Sequence, residues 1–309
     1  MKKNRNDFKS KLIVSLLICF TAVLFMTACK TVPKIEIAPP DAFDVLDDEG
    51  AMYISIPASE NSELLEKFIT GFTPGVSEND AKTVISKINR VYASFGSRDD
   101  KKRICISADA DIPKAAAALL KKSGYQEKQM NAEDIYAYDK SVNYYSMNSV
   151  EIAFPSPKNV LISRDVKPMI QDYVLEENIQ NGLMEFSTDY KSSWYESDLY
   201  QWIKQDTDTI HFYIVRPQSF LSNLLGSAVS TKTFKLNYAK GQFAKLPNSK
   251  YELTLELSFQ DQKFIKPAMA LLSLALGLTD SELEQVNLNT VKLGGVHINT
   301  KQLINMFGL

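Results

Sequence analysis

The chain contains two segments with the same order of elements, and this internal repeat constrains its fold more than any other feature. Between Tyr53 and Leu65, seven of thirteen residues are identical to those 160 positions later, beginning at Tyr213. Residues 116–120 match residues 268–272 in the same way, at an offset of 152. Tandem duplication explains both matches and their order. The alternative is convergence of two ordinary strand–helix patterns, which share their periodicity in any α+β protein.

Each copy alternates short apolar strands with single amphipathic helices, a pattern that predicts an α+β fold. We expect two tandem related modules, each a mostly antiparallel sheet with helices packed mainly on one face. The expected divisions are a leader over residues 1–28, a tether over 29–49, module one over 50–178, an aromatic-rich connector over 179–206 and module two over 207–309.

Copy one is predicted to carry additions that copy two lacks. A second helix should follow Ser77, which has capping-box spacing to Asp80. About 17 further residues lie between Gly124 and Val160 without a counterpart in copy two. In copy one, strands are predicted near residues 52–56, 90–95, 103–108, 135–138, 150–154 and 160–163, and helices near residues 60–69, 112–122 and 166–174.

The first 28 residues have the pattern of a secretory signal. A cationic leader precedes an almost continuous apolar run over residues 12–25, which is too short to favour a spanning helix, and the small residues Thr27 and Ala28 precede Cys29. This segment resembles the lipobox of bacterial lipoproteins, although Met26 stands where that family usually has leucine. The resemblance implies cleavage before Cys29, which becomes the acylated first residue. A plain secreted protein or an uncleaved anchor is the alternative.

The net charge argues against certain partners, and the cysteine positions argue against a disulfide within the chain. Without the leader the chain has a net charge of about −6, which argues against nucleic acid or anionic lipid headgroups as partners. Cys19 leaves with the signal and Cys29 is expected to be lipidated, so Cys105 has no partner for a disulfide within the chain. Cys105 lies in a strand pattern, which favours a buried, inert thiol over a nucleophile.

We find no catalytic, cofactor-binding or metal-binding pattern in the sequence. The two histidines, His211 and His297, alternate with apolar residues and are predicted to be half-exposed strand residues rather than ligands or bases. The chain has no nucleophile elbow, zinc-protease motif, Walker loop or dinucleotide fingerprint. We therefore expect no enzyme activity, no metal and no cofactor.

Clustered aromatic residues outside the repeated units are the only sign of recognition. Tyrosine and tryptophan offer a large contact area with few rotatable bonds, which suits protein interfaces and sugars. The alternative is that they cover the seam between modules and the backs of the sheets. The candidate partner-contact residues are Tyr136, Tyr138, Tyr144, Tyr145, Tyr190, Trp194 and Tyr195.

The sequence predicts a membrane-anchored bacterial envelope lipoprotein with a non-enzymatic binding or assembly role. Its partners are expected to be the membrane, through the lipid anchor, and another envelope protein, or a peptide or glycan ligand. An envelope hydrolase without a recognised motif is a further alternative. The residue after the cysteine, Lys30, is compatible with anchoring in either the inner or the outer membrane.

Overall fold

One antiparallel sheet of twelve strands organises the part of the chain that the structure describes. The computed structural model describes residues 38–46, 49–73, 75–96, 102–108, 112–131, 140–183, 193–226, 234–279 and 282–307. The strand order is β11-β12-β10-β9-β8-β1-β2-β3-β7-β6-β5-β4. The described residues, from Ala38 onward, belong to one compact unit.

Most elements of the first half lie close to the predicted positions, and the strands at 126–131 and 141–147 are additions. The strands of the first half are β1 (Met52–Pro57), β2 (Ile88–Phe95), β3 (Lys102–Ala108), β4 (Gln126–Asn131), β5 (Ser141–Met147), β6 (Val150–Ser156) and β7 (Asn159–Ser163). Those of the second half are β8 (Ile210–Ile214), β9 (Leu236–Lys245), β10 (Lys250–Phe259), β11 (Leu283–Asn287) and β12 (Thr290–Asn299). The helices are α1 (Ser62–Phe72), α2 (Glu78–Ile85), α3 (Pro113–Lys122), α4 (Lys167–Gln180), α5 (Asp198–Ile203), α6 (Gln218–Leu225), α7 (Ile265–Leu276) and α8 (Thr300–Phe307).

The element order of the two halves corresponds, as duplication predicts. Strands β1, β2 and β3 form a meander that β8, β9 and β10 repeat, and helices α1 and α6 follow the first strand of each half. Helices α3 and α7 follow the third strand of each half, while α2, β4 and β5 have no counterpart among the described residues of the second half. Ser77 caps α2 by accepting a hydrogen bond from the Asp80 amide, at 3.3 Å. Tandem duplication is our interpretation of this correspondence.

Strands β1 and β8 join the two halves into a single sheet. They pair antiparallel with Tyr53 directly opposite Tyr213, the two residues that the 160-residue offset relates. An antiparallel strand pair has a local twofold axis, and here the register places that axis between two residues that the repeat relates. The pairing also removes two strand edges, which exposed on separate sheets would be liable to aggregate.

The sheet buries a hydrophobic core on each face. Helices α1, α2, α3, α6, α7 and α8 cover the front face, where residues such as Ile54 and Phe212 are buried. Helix α4, Ile203 of α5 and the segment 38–46 cover the back face of the first half. Most helices therefore lie on one face, as the fold prediction required. None of the helices among the described residues combines the length and hydropathy that crossing a membrane requires.

One predicted strand and the two histidines can be compared with the structure. The strand expected near residues 135–138 lies outside the described residues, and β4 and β5 flank that region instead. His211 was expected to be half-exposed, but it is fully buried because α5 and the loop before β8 cover the back face at this point. His297 is exposed.

Candidate functional site

An apolar cavity lies between the front face of the sheet and helices α1, α2 and α3. Its volume is about 60 Å³, and only one of its fourteen lining residues, Thr73, carries a polar side chain. Because no lining side chain is ionisable, the cavity offers a ligand dispersion contacts and removal from water rather than charge recognition. The lining residues are Ile69, Thr73, Val76, Val84, Ile88, Ile106, Ile112, Ala116, Leu119, Leu120, Ile152, Phe154, Val160 and Ile162.

The alanine-rich helix α3 forms one wall of this cavity. Pro113 occupies its first turn, where a missing N–H costs nothing, and the helix ends before Gly124, which has a φ of 93°. Ala116 is buried and lines the cavity, whereas Ala118 is exposed on the opposite side of the helix. A small side chain at position 116 therefore leaves space that a larger one would fill.

Two of the candidate contact tyrosines are core residues. Tyr144 and Tyr145 are 5% and 3% exposed and point to opposite faces of β5. The Tyr145 hydroxyl donates a hydrogen bond of 2.8 Å to Glu127, and its ring meets Phe154 at 5.8 Å. Burial, with the Glu127 carboxylate as the second cause, raises the pKa of Tyr145 to about 12. The predicted role of Tyr144 and Tyr145 in partner contact stays a prediction, and their burial argues against it.

Trp194 and Tyr195 pack against the segment 38–46 on the back face. The Trp194 ring stacks on Phe43 with centroids 5.5 Å apart. The Tyr195 hydroxyl donates to Asp44 at 3.3 Å, and burial, then the Asp44 charge, raises the pKa of that hydroxyl. Both side chains are half-buried, so part of each surface remains open to a partner.

The remaining predicted site residues lie outside the part of the chain that the structure describes. They are the lipidation site Cys29 and the candidate contact residues Tyr136, Tyr138 and Tyr190. Their roles therefore stay predictions.

Cys105 and His211 are both held in the back-face core. Cys105 is fully buried, and burial raises the pKa of its thiol, so the thiolate needed for nucleophilic chemistry is disfavoured. The His211 Nδ1 lies 3.0 Å from the Trp202 carbonyl oxygen, which can only accept, so Nδ1 carries the proton. Its Nε2 then accepts from the Thr209 hydroxyl at 2.7 Å. Burial lowers the pKa of His211, so the ring is neutral and structural.

Sequence reasoning missed the cavity because its lining comes from four separate regions of the chain. Each region showed only ordinary apolar periodicity, and no local motif marks the place where they meet. Among the described residues, no three His, Cys, Asp or Glu side chains come together as a metal site requires.

Crystal structures of the protein TP0453 have a similar fold. Crystal form I of TP0453 superposes with a TM-score of 0.64 at 16% sequence identity, covering 87% of this chain and 97% of that one. Crystal form III gives a TM-score of 0.61 at 16% identity, covering 86% and 97%. At this identity the likeness establishes the fold. A search of curated proteins finds no match.

The family comparison covers most of the chain. The matching model describes the outer membrane-associated lipoprotein TP0453 and aligns with residues 38–304, which begin where the described body begins. The match agrees with the lipoprotein resemblance of the leader, which lies outside the aligned residues. This chain therefore belongs to the TP0453 family of outer membrane-associated lipoproteins and is a membrane-associated lipoprotein of the bacterial envelope.

Proposed function

We propose that this envelope lipoprotein has a non-enzymatic binding role and that its apolar cavity receives an apolar group of the ligand. The observation that carries the proposal is the lining, in which thirteen of fourteen side chains are apolar. Burying apolar surface is favourable by about 25 cal/mol per Å², so even a short alkyl group gains affinity there. A volume of about 60 Å³ limits the inserted part to a small group rather than a whole ligand.

The alternative binding surface, around Trp194 and Tyr195, has weaker support. Both side chains contact the segment 38–46, where packing already explains their presence. A protein partner or an assembly role through this surface remains a second proposal. The cavity is apolar space that the described residues leave open, whereas dense packing normally fills such space.

Filling the cavity should abolish binding of an apolar ligand. We expect Ala116→Leu to weaken binding of 1-octanol at least tenfold, because the added side chain occupies the space between α3 and the sheet. Isothermal titration of the purified full chain measures the affinity. Overpacking a core costs about 1–3 kcal/mol of stability. Denaturant unfolding of the same variant therefore checks that it is still folded.

Ala118→Leu is the matched control for this experiment. It adds the same side chain to the exposed side of the same helix and should leave octanol binding unchanged. If the wild-type chain shows no octanol binding, or if the two variants bind alike, the cavity is not the ligand site.

The anchor itself rests on Cys29. We expect Cys29→Ser to release the protein from the membrane fraction and to remove labelling by radioactive palmitate. Each buried methylene of an acyl chain contributes about 0.8 kcal/mol of membrane affinity, so two chains hold a protein effectively permanently. Cys19→Ser is the control, because Cys19 lies in the leader that cleavage removes. Unchanged labelling and attachment in Cys29→Ser would refute the lipidation site.

A further inference from the structure

A second concave site, a polar cleft, lies beside α2 and adjoins the apolar cavity at Ile88, which lines both sites. Its volume is about 680 Å³, within the range of about 300–1,000 Å³ that small-ligand sites occupy. Val84 of α2 lines the cavity, whereas Lys82 and Ile85 of the same helix line the cleft. The two sites are therefore chemically distinct.

The floor of the cleft combines apolar surface with one fixed cation. Ala58, Ile85 and Ile88 supply the apolar part. The Arg90 side chain is 12% exposed and donates hydrogen bonds to the Ser55 hydroxyl at 3.0 Å and the Thr207 carbonyl at 2.9 Å. These bonds hold the guanidinium in place as part of the framework.

The walls of the cleft carry more negative than positive charge. Helix α1 contributes Glu63 and Glu66, and the loop before β8 contributes Asp206 and Asp208. Two of these carboxylates are paired across the cleft: Glu66 lies 3.5 Å from Lys82, and Asp206 lies 3.2 Å from Arg90. Glu63 pairs with a half-exposed lysine one turn along its own helix.

Asp208 is the acidic group in the cleft that is most available to a ligand. It is exposed and has no ion-pair partner among the described residues. The charged side chains that line the cleft are four carboxylates and two cations, which leaves an excess of two negative charges. Such a site attracts cations and repels anions.

Hydrogen-bonding groups accompany these charges. Ser59 and Ser62 line the wall at the start of α1. Between them in the chain lies Asn61, which is 1% exposed and donates from its amide nitrogen to the Pro57 carbonyl at 2.9 Å. The Asn61 amide oxygen has no hydrogen-bond partner among the described residues, although a buried acceptor normally has one. Asn61 itself does not line the cleft, so a ligand there would meet the two serine hydroxyls rather than this buried oxygen.

The lining favours one of the two ligand classes that the sequence left open, a peptide over a glycan. None of the described residues that line the cleft is aromatic, so the cleft lacks the stacking platform that suits a sugar ring. Apolar floor, acidic walls and hydroxyl groups instead suit a lysine or arginine side chain on a peptide backbone, because the methylene stem packs while the cation pairs. We propose that this cleft binds a short basic peptide segment of a partner protein.

Titration with capped peptides tests the proposal. Acetyl-trilysine-amide should bind the full chain in detergent, whereas acetyl-triglutamate-amide should not, as isothermal titration would measure. Asp208→Asn should weaken trilysine binding roughly five- to tenfold, the size of effect expected for the loss of one charge-assisted hydrogen bond. Binding should also weaken as salt rises, because the walls are open to solvent.

Glu284→Gln is the matched control, since it removes one exposed negative charge from β11, outside the cleft. It should leave trilysine binding unchanged, and thermal melts should show both variants folded. Equal weakening by the two variants, or no trilysine binding at all, would overturn the proposal. Spermidine carries ammonium groups on a methylene chain without a peptide backbone, so equally tight spermidine binding would overturn the assignment to a peptide.

Discussion

Phe43→Ala is expected to lower the free energy of unfolding by about 3–5 kcal/mol, the usual cost of truncating a buried phenylalanine. Phe43 has no exposed surface, although it lies in the segment that the sequence assigned to the tether. Its ring contacts four aromatic rings at centroid distances of 5.5 to 6.0 Å, those of Tyr53, Tyr92, Trp194 and Tyr200. Removing it leaves a cavity at the centre of this cluster.

Denaturant unfolding of the wild-type and variant chains measures this effect. Leu183→Ala is the control, because Leu183 is 53% exposed and a surface truncation usually changes stability by less than about 0.5 kcal/mol. If Phe43→Ala also loses less than about 0.5 kcal/mol, the segment 38–46 is only loosely attached. That result would also remove the packing explanation for Trp194 and leave that residue free for recognition.

The sequence predicted local structure well because local structure depends on nearby residues. The apolar spacing of Leu64, Leu65 and Phe68 predicted α1, and the Ser77 spacing predicted the cap of α2. An apolar group around Phe43 interrupts an acidic, proline-containing stretch, and the burial of Phe43 places the start of the packed body there.

Long-range pairing could not be predicted in the same way. An alternating pattern marks β1 as a strand but does not say that β8 will be its neighbour. Strand β4, over residues 126–131, is mostly exposed and polar, so it has no strand signal of its own and forms because β5 offers it a partner. His211 lies on the non-apolar side of its strand, yet other segments cover that side. The cavity and the polar cleft also depend on such long-range contacts.

Lys140→Met is the other substitution with a large expected effect, a loss of about 3–5 kcal/mol in the free energy of unfolding. The Lys140 ammonium group donates to both carboxylate oxygens of Glu177, at 2.7 and 2.6 Å, and lies 5.0 Å from the centre of the Tyr173 ring. The Glu177 side chain is 4% exposed. Without the lysine, this largely buried carboxylate loses its compensating charge.

Two controls separate this burial effect from the simple loss of a lysine. Lys128→Met removes a lysine that also lies over a tyrosine ring, Tyr144, but from the exposed edge strand β4, and should change stability by less than about 0.5 kcal/mol. The double variant Lys140→Met with Glu177→Leu should recover most of the lost stability, because replacing both partners of a buried pair with apolar groups is often neutral or stabilising. If the double variant is less stable than Lys140→Met alone, the cost comes from lost packing around α4 rather than from an uncompensated charge.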